Sequence, residues 1–357
     1  MTYFVIGLMS GTSLDGLDLA FCEFNLVDDR WVYEIGHAET IPYSGNWKEL
    51  LCNLESGTAL DFVTADIEFG HLLGRLTKDF IKKHNLHPDF ISSHGHTIFH
   101  QPGKRITAQI GRGSAIAAET GLPVICDFRS LDVALGGQGA PLVPIGDQLL
   151  FNTFDYCLNI GGFANISCEK EGKRIAFDIC PANIVLNQLA KSLGLEYDPD
   201  GMHASKGIIN QPLLDTLNAL PFYGKPAPKS LGKEWVVEHV FPLLKNEALA
   251  VSDLLSTFCE HIAMQVAKAA TGNHLQKLFT TGGGALNKHL INRVRKYTGP
   301  EIIIPDANTI NYKEALIFAF LGVLRWRNEI NCLKSVTGAS RDSSGGAIFG
   351  ILDQCNK

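Results

Sequence analysis

The sequence predicts an α/β protein with mixed sheets. Short β-like runs alternate along the chain with longer helical patterns, which is the order expected of that class. The 357 residues are too many for one ordinary domain and sufficient for two. A strand, a glycine-rich loop and a second strand occur at the start of the chain and again near its middle. We therefore expect two α/β lobes with a cleft between them, where small ligands commonly bind.

The predicted strands are short apolar runs bounded by turn residues. They cover residues 3–9, 17–24, 31–37, 90–93, 124–127, 156–160, 174–179, 277–281 and 301–304. Longer segments in which apolar residues recur at spacings of three, four and seven predict helices. The three clearest ones cover residues 60–84, 252–271 and 312–327.

The bulk composition favours a soluble protein that acts on small molecules. The chain has 31 basic and 37 acidic residues without a long run of either sign, which argues against a nucleic-acid partner. Its nine cysteines are scattered singly, as in a reduced cytoplasmic protein. There is no basic leader and no apolar window near the roughly 18 residues of a membrane span. We expect a cytoplasmic protein with no membrane partner.

Three loops rich in glycine follow predicted strands, at residues 10–16, 159–165 and 280–287. Glycine lets a backbone approach a ligand closely, and successive N–H groups can hold phosphate oxygens. Asp15 and Asp18 would repel a phosphate, so we expect them to bind Mg²⁺ or to cap a turn. An ordinary tight turn explains any one of these loops, but the three together favour a phosphate site. The standard nucleotide-binding motifs are absent, so the architecture must be a different one.

Residues 6–18, Ile-Gly-Leu-Met-Ser-Gly-Thr-Ser-Leu-Asp-Gly-Leu-Asp, closely resemble the N-terminal signature of the anhydro-N-acetylmuramic acid kinases. The resemblance runs through most of the chain, because further motifs follow in that family's order. These motifs lie at residues 93–97, 109–111, 127–129, 136–144, 159–162, 228–230, 282–287, 314 and 336–339.

The resemblance implies a two-lobed actin-like ATPase (ribonuclease H-like) fold, shared by actin, hexokinase and Hsp70. Each lobe would be a mixed β-sheet flanked by helices, with a central cleft. We expect the N-terminal lobe over residues 1–131 plus about 340–357, with the first phosphate loop. The C-terminal lobe would cover residues 132–339, with the second phosphate loop, the catalytic aspartate and the adenosine motif.

The resemblance also implies the reaction. Water opens the 1,6-anhydro ring of anhydro-N-acetylmuramic acid while O6 takes the γ-phosphoryl group of ATP, with Mg²⁺ as the metal. The products would be N-acetylmuramic acid 6-phosphate and ADP, in cell-wall recycling and amino sugar catabolism. The partners would be the sugar and ATP, and the resemblance suggests a homodimer.

The family's motif Phe-Asp-Thr-Gly-Pro-Gly-Asn falls on residues 177–183, so the resemblance assigns Asp178 as the general base. The alternative is that Asp178 caps the following helix. The residues implied to bind the nucleotide are Gly11, Thr12, Ser13, Leu14, Asp15, Gly16, Leu17, Asp18, Gly161, Gly162, Gly282, Gly283 and Gly284, with Asp15 near the metal. Those implied to bind the sugar are His94, Arg129, Asn183 and Glu314.

The planar guanidinium of Arg129 suits the lactyl carboxylate of the sugar, since it can donate two parallel hydrogen bonds. A structural ion pair is the alternative role for this arginine. His94, His96 and His100 could suggest zinc, but no cysteine or carboxylate lies near them in a zinc-like spacing. Magnesium with oxygen ligands therefore remains the metal that we expect.

Some positions depart from the family's pattern. Ile179, Cys180 and Ala182 replace a threonine and two glycines beside Asp178, Asn187 replaces an acidic residue, and His96 replaces a glutamine. These departures leave two alternative functions open. One is a kinase of a different anhydro or amino sugar, and the other is a catalytically impaired ATP-binding homologue with a regulatory role.

Overall fold

The computed structural model describes residues 1–11, 14–245 and 248–350. Its strands are β1 Thr2–Ser10, β2 Gly16–Val27, β3 Arg30–Pro42, β4 Phe90–Gln101, β5 Ile106–Ile110, β6 Val124–Cys126, β7 Tyr156–Ile160, β8 Phe163–Lys170, β9 Lys173–Pro181, β10 Lys277–Thr281, β11 Glu301–Ile303 and β12 Ala347–Phe349. Its helices are α1 Gly45–Asn53, α2 Ala59–His84, α3 Gly113–Thr120, α4 Ser130–Ala134, α5 Val143–Leu150, α6 Asn183–Lys191, α7 Gln211–Asn218, α8 Lys233–Trp235, α9 Phe241–Leu244, α10 Val251–Ala269, α11 Lys288–Tyr297, α12 Ala307–Trp326 and α13 Lys334–Thr337.

The chain forms two compact units. The first comprises Met1–Leu150 and Tyr312–Lys357, and the second comprises Phe151–Asn311. Residues 132–150 and 312–339 thus group with the first unit. The lobe boundaries expected after residues 131 and 339 remain a prediction.

The sheet of the first unit is mixed, with the strand order β12-β6-β4-β1-β2-β3 and with β5 paired to β4. Strands β1, β2 and β3 are antiparallel neighbours, whereas β4 runs parallel to β1 and to β6. Apolar side chains of β1, β2 and α2 form its core, among them Ile6, Leu17, Leu19, Phe69 and Leu73. The helix α2 begins with a capping box between Thr58 and Asp61, a signal readable from sequence.

The sheet of the second unit has the order β11-β10-β7-β8-β9. Strands β7, β8 and β9 are antiparallel neighbours, and β10 and β11 add in parallel beside β7. The helix α10 is buried along much of its length and packs with β7, β8 and β9 in one apolar cluster. Both units therefore begin with an antiparallel three-stranded meander and add parallel strands beside its first strand, and the α/β class with two mixed sheets is confirmed.

Three elements are much longer than their apolar patterns, and one of them is strand β3, which continues from residue 37 to Pro42. Strand β4 continues from residue 93 to Gln101, through polar residues that gave no strand signal. The helix α12 begins at Ala307, five residues before the predicted start. Asp306 explains that start, because its Oδ1 accepts a hydrogen bond from the amide of Thr309 at 3.0 Å, as a residue preceding a helix does.

Candidate active site

The first glycine loop connects β1 to β2 above a buried hydrogen-bond network. The hydroxyl of Tyr43 donates to Ser10 Oγ at 2.7 Å, and Ser10 Oγ lies 2.9 Å from His96 Nδ1. Ser10 is 2% exposed, so these bonds fix the end of β1 from beneath. Burial lowers the pKa of His96. His96, which stands where the family has a glutamine, is thus the second side chain, after Tyr43, that contacts Ser10 beneath the loop.

Several predicted nucleotide residues lie on this loop. Gly11 and Leu14 close its turn, with the amide of Leu14 donating to the carbonyl of Gly11 at 3.4 Å. A Cβ on Gly16 would stand 2.3 Å from the carbonyl oxygen of Ile41, so the start of β2 requires glycine. Leu17 is fully buried and offers only its backbone to a ligand. The predicted residues Thr12 and Ser13 lie outside the described residues.

Asp15 and Asp18 place two carboxylates at the start of β2. Asp15 is exposed and Asp18 is half-buried, and Asp18 Oδ1 accepts a hydrogen bond from Thr40 Oγ1 at 2.6 Å. Burial raises the pKa of Asp18, Thr40 partly offsets the rise, and the charge of Asp15 adds to it. The two carboxylates thus repel each other, and a cation between them would remove that repulsion.

The predicted sugar residues His94 and Arg129 are hydrogen-bonded to each other. Arg129 Nη2 lies 2.8 Å and Nε 3.2 Å from His94 Nε2, and Arg129 Nη1 donates to the carbonyl of Gly139 at 2.6 Å. Because arginine has only donors, His94 Nε2 is the acceptor, and its protonated Nδ1 donates to the carbonyl of Gly95 at 2.9 Å. Burial lowers the pKa of His94 to about 3, so the imidazole is neutral.

Burial lowers the pKa of Arg129 to about 10, with the charge of Glu314 opposing the shift. The guanidinium is therefore still cationic at neutral pH. Among the described residues, no carboxylate comes within 4 Å of Arg129 in an ion pair, which leaves the alternative of a structural ion pair without support. Its five N–H donors make three contacts with His94 and Gly139, so two remain for a ligand.

Glu314 reaches the same group of residues from α12. A Cβ on Gly7 would stand 2.0 Å from the carbonyl oxygen of Ala315, so glycine in β1 allows α12 to approach closely. Surrounding protein desolvates the Glu314 carboxyl and raises its pKa, although the residue keeps an exposed surface, while Arg129 lowers the pKa and Asp18 raises it. Glu314, Arg129 and Asp18 are thus electrostatic neighbours within the first unit.

The second glycine loop, Gly161 and Gly162, connects β7 to β8. Its carbonyls accept hydrogen bonds from the start of α6: Gly162 from Ala182 at 2.8 Å and from Ile184 at 3.2 Å, and Gly161 from Asn183 at 3.1 Å. The first amides of α6 are therefore used by the loop. A Cβ on Gly162 would meet nothing within 4 Å, so its surface is open to a ligand.

The third glycine loop packs against the second one. A Cβ on Gly284 would stand 2.2 Å from Ile160 Cγ2, and one on Gly282 would stand 2.6 Å from Asn159 Oδ1. Asn183 Nδ2 donates to the carbonyl of Ile160 at 3.2 Å, and a Cβ on Gly283 would lie 3.6 Å from that nitrogen. The structure thus brings Asn183, Gly161, Gly162 and residues 282–284 together within the second unit.

Asp178 lies on β9 and is half-buried. Its Oδ2 accepts a hydrogen bond from the amide of Leu231 at 2.8 Å, and its own amide donates to the carbonyl of Lys229 at 2.9 Å. Burial raises the pKa of Asp178, and the Leu231 amide partly offsets the rise. No described residue donates to Oδ1, so that oxygen is available to a water molecule.

The alternative role for Asp178, capping of α6, is wrong. The residue that precedes α6 is Ala182, and no side chain accepts a hydrogen bond there. The role of residues 229 and 231 in holding Asp178 was not predicted. The Pro-Lys-Ser motif at 228–230 was the only sequence signal for these residues. Because it lies some 50 residues after Asp178 in the chain, the sequence did not indicate that the two are in contact.

The substituted residues beside Asp178 belong to the core. Ile179 is 3% exposed, and Cys180 and Ala182 are fully buried, in the apolar cluster that includes α10. The strand register moves from Ala164 opposite Cys180 to Asn165 opposite Asp178, so Ile179 is the extra residue of a β-bulge. The substitutions therefore change the packing behind the loop, while the carboxylate of Asp178 keeps its own partners.

Comparison with known proteins identifies the family. The family model "AnmK: Anhydro-N-acetylmuramic acid kinase" matches residues 3–351. The chain belongs to the anhydro-N-acetylmuramic acid kinase family. It is 35% identical to the anhydro-N-acetylmuramic acid kinase of Pasteurella multocida over 98% of this chain and 97% of that one. It is 36% identical to the enzyme of the same name from Vibrio cholerae over 96% and 97%.

The family consists of sugar kinases, so the chain is a kinase that uses ATP, and neither alternative function is favoured. A solved structure, the activator of 2-hydroxyisocaproyl-CoA dehydratase from Clostridium difficile with bound ADPNP, gives a TM-score of 0.46 at 13% identity over 91% of this chain and 97% of that one. A likeness of that size supports no functional inference. In the described part of the chain, no helix is both long and apolar enough to cross a membrane.

Proposed function

We propose that this chain converts 1,6-anhydro-N-acetylmuramic acid, ATP and water into N-acetylmuramic acid 6-phosphate and ADP. The reaction would serve the recycling of cell-wall sugars. The observation that carries the proposal is Asp178, with one carboxylate oxygen fixed by the Leu231 amide at 2.8 Å, the other open, and a raised pKa. This is the arrangement of a general base that orients and deprotonates water.

In the proposed reaction Asp178 takes a proton from water, and the oxygen of that water bonds to the anomeric carbon. The bond between this carbon and O6 breaks, O6 bonds to the γ-phosphorus, and the bond from that phosphorus to ADP breaks. The two displacements support each other, because phosphoryl transfer captures the leaving oxygen. One proton is released to solvent from Asp178 at the end of the cycle.

The glycine loops are proposed to hold the nucleotide. In the first unit this role falls to residues 11–18, and in the second unit it falls to Gly161, Gly162 and residues 282–284. The open surface of Gly162 supports the proposal, because a bare backbone lets phosphate oxygens come close. The carbonyls of the second loop are already bound by α6, and the Gly161 amide donates to the Phe163 carbonyl at 3.1 Å. The Gly162 amide is therefore the group that would face a phosphate.

The metal is proposed to be Mg²⁺, held by Asp15 and Asp18. These two residues fit the ion, because they supply carboxylate oxygens and because the charge of Asp15 already raises the pKa of Asp18. When bound, the ion would neutralise charge on the terminal phosphates of ATP. The described residues contain no group of three or more His, Cys, Asp or Glu that could hold a metal by themselves, so phosphate oxygens and water would complete the coordination.

The sugar is proposed to be bound by His94, Arg129, Asn183 and Glu314. Arg129 would grip the lactyl carboxylate with the two donors that His94 and Gly139 leave unused. We further propose a cytoplasmic homodimer. The eight cysteines among the described residues are all free thiols, which supports a reducing compartment, while the homodimer rests on the family resemblance.

The test is to incubate the purified protein with ATP, Mg²⁺ and a panel of sugars. The panel contains the 1,6-anhydro forms of N-acetylmuramic acid and N-acetylglucosamine together with both reducing sugars, and mass spectrometry follows the 6-phosphates. We expect product from the anhydromuramyl sugar, and we expect Asp178→Asn to lower kcat by roughly 10³-fold. Asp215→Asn is the matched control, because Asp215 is an exposed helix residue of the same unit.

Two results would contradict the proposal. Product from another sugar alone would identify a different sugar kinase. Tight ATP binding without any acceptor-dependent turnover would identify a regulator, and the Asp178→Asn variant would then behave as the unmodified protein does.

A further inference from the structure

Asp132 is a buried carboxylate that the proposed reaction does not use. It lies on α4, three residues after Arg129, and is 1% exposed. Burial of a charged group is costly unless every oxygen has donors. The donors around Asp132 therefore show what this carboxylate holds in place.

Both oxygens of Asp132 accept hydrogen bonds. Oδ1 accepts from Thr337 Oγ1 at 2.7 Å and from Cys332 Sγ at 3.1 Å, and burial together with Asp132 raises the pKa of Cys332, so the sulfur is a thiol donor. Oδ2 accepts from the amide of Gly139 at 2.7 Å. A Cβ on Gly137 would stand 2.2 Å from Oδ2, so the glycine-rich loop at residues 136–139 can close over the carboxylate.

Gly139 is held from its other side by Arg129, whose Nη1 donates to the Gly139 carbonyl at 2.6 Å. A single residue with φ of +66° thus links the buried carboxylate to the guanidinium. The guanidinium in turn donates to His94 Nε2. Rotation of the Gly139 backbone would move the acceptor of Nη1 and change the direction of the two unused donors.

We propose that Asp132 is a positioning residue that sets the orientation of the Arg129 guanidinium through Gly139. This inference rests on the proposed function, because it takes Arg129 as the group that binds the lactyl carboxylate. Asp132 then contributes to selection of a sugar that carries a carboxylate over the same sugar without one, although it touches neither.

A merely structural role for Asp132 is the competing explanation. Asp132 also joins the loop at 136–139 to α13, where the Gln138 amide donates to the Thr337 carbonyl at 2.9 Å. Loss of that connection alone would lower the stability of the protein and weaken the binding of all sugars equally. Selectivity between two sugars is therefore the measurement that separates the two roles.

The experiment measures dissociation constants by calorimetry, with a non-hydrolysable ATP analogue present, for 1,6-anhydro-N-acetylmuramic acid and for 1,6-anhydro-N-acetylglucosamine, which lacks the lactyl group. The variants are Asp132→Asn and Arg129→Gln. The matched control is Asp66→Asn, since Asp66 also holds a glycine amide, that of Gly111 at 2.9 Å, in the same unit. The melting temperature of each protein is recorded alongside.

We expect Asp132→Asn to reduce the preference for the muramyl sugar by about tenfold, the usual size for a weakened hydrogen bond to a charge. Asp132 accepts from Gly139 on one oxygen and from Thr337 on the other, whereas asparagine has only one side-chain oxygen. One of these two donors therefore loses its partner in the variant. Arg129→Gln should reduce the preference at least as much, and Asp66→Asn should leave it unchanged.

If Arg129→Gln keeps the preference, the assignment of Arg129 to the carboxylate is wrong and the proposal fails with it. If Arg129→Gln loses the preference for the muramyl sugar while Asp132→Asn weakens the binding of both sugars equally, only the positioning role is overturned. Should Asp132→Asn not fold, Gly139→Ala tests the same link, because its Cβ would stand 2.6 Å from Val133 Cγ2 and displace the backbone. An unchanged preference in that variant overturns the proposal.

Discussion

The β1–β2 hairpin of the first unit is surrounded by hydroxyls and carboxylates, whereas the β7–β8 hairpin of the second unit turns on two glycines. Each hairpin begins a meander of three antiparallel strands with two parallel strands beside its first strand, and the first sheet also contains β5 and β12. In the first unit the ionisable groups lie on the hairpin itself, at Asp15 and Asp18. In the second unit the ionisable group, Asp178, lies on the third strand.

This difference shows that one topology can present two different sets of chemical groups. The first hairpin is fixed from below by Ser10, Tyr43 and His96 and offers carboxylate oxygens, which suits a metal and a polyphosphate. The second hairpin has its carbonyls bound by α6 and leaves the Gly162 amide, while the carboxylate that we propose as the base, Asp178, lies on a separate strand. Four predictions test this division of roles, beginning with the one of largest effect.

The pH dependence of kcat/KM should report the base of the second unit. Only the carboxylate form of Asp178 accepts a proton, and burial raises its pKa, so activity should fall about tenfold per pH unit below that pKa. We expect an acid limb with an apparent pKa above the roughly 3.9 of free aspartic acid. Rates measured from pH 3 to 9 check this, with return to neutral pH as the control for unfolding. An acid limb at or below 3.9 would contradict it.

The glycines of the second unit should differ sharply in tolerance. Gly284→Ala places a Cβ 2.2 Å from Ile160 Cγ2, and we expect a loss of about 3 kcal/mol in the free energy of unfolding and at least about tenfold weaker ATP binding. Gly162→Ala is the matched control for stability alone, because no atom lies within 4 Å of its Cβ, whereas its bare backbone is proposed to hold phosphate. Denaturant unfolding and ATP titration measure both. Equal stability of the two variants would show that the third loop does not depend on close packing.

Restoring the family's threonine beside Asp178 should affect stability more than catalysis. Ile179 is 3% exposed in the core, so Ile179→Thr buries a hydroxyl there and should cost about 2 kcal/mol in the free energy of unfolding. We expect kcat to change by less than about twofold, because Leu231 still holds Asp178. Steady-state kinetics and urea unfolding decide this. A large rise in kcat would show that the substitution impairs the native enzyme.

The smallest effect is expected beneath the first hairpin. Tyr43→Phe removes the donor to Ser10 Oγ and should lower the free energy of unfolding by about 1 kcal/mol, with a modest rise in KM for ATP. Tyr197→Phe is the control, because Tyr197 is 58% exposed. A KM for ATP that is unaffected by Tyr43→Phe would show that the network holds the strand without shaping the loop.

The elements that sequence reasoning placed best were those with a strong local signal. The helix α2 was predicted within one residue because its apolar period marks it, and the structure adds the capping box at Thr58. Strand β4 was predicted only as far as residue 93, because His94, Gly95 and His96 break the apolar run although they continue the pairing. Strands β5, β8 and β12 were not predicted. Strands β5 and β12 are short and gain their stability from a neighbouring strand, and the start of β8 lay in the segment 159–165 that was predicted as a glycine-rich loop.

The sequence by itself determined the α/β class, the glycine loops and the family, because strand and helix periods, glycine and ordered motifs are local properties of the chain. Only the tertiary structure decided that Leu231 holds Asp178, that Ile179, Cys180 and Ala182 lie in the core, and that Asp132 reaches Arg129 through Gly139. These contacts join residues by burial and by backbone hydrogen bonds, and the backbone groups involved are the same in every residue type other than proline. The periodicity of side chains along the chain therefore did not show which residues meet.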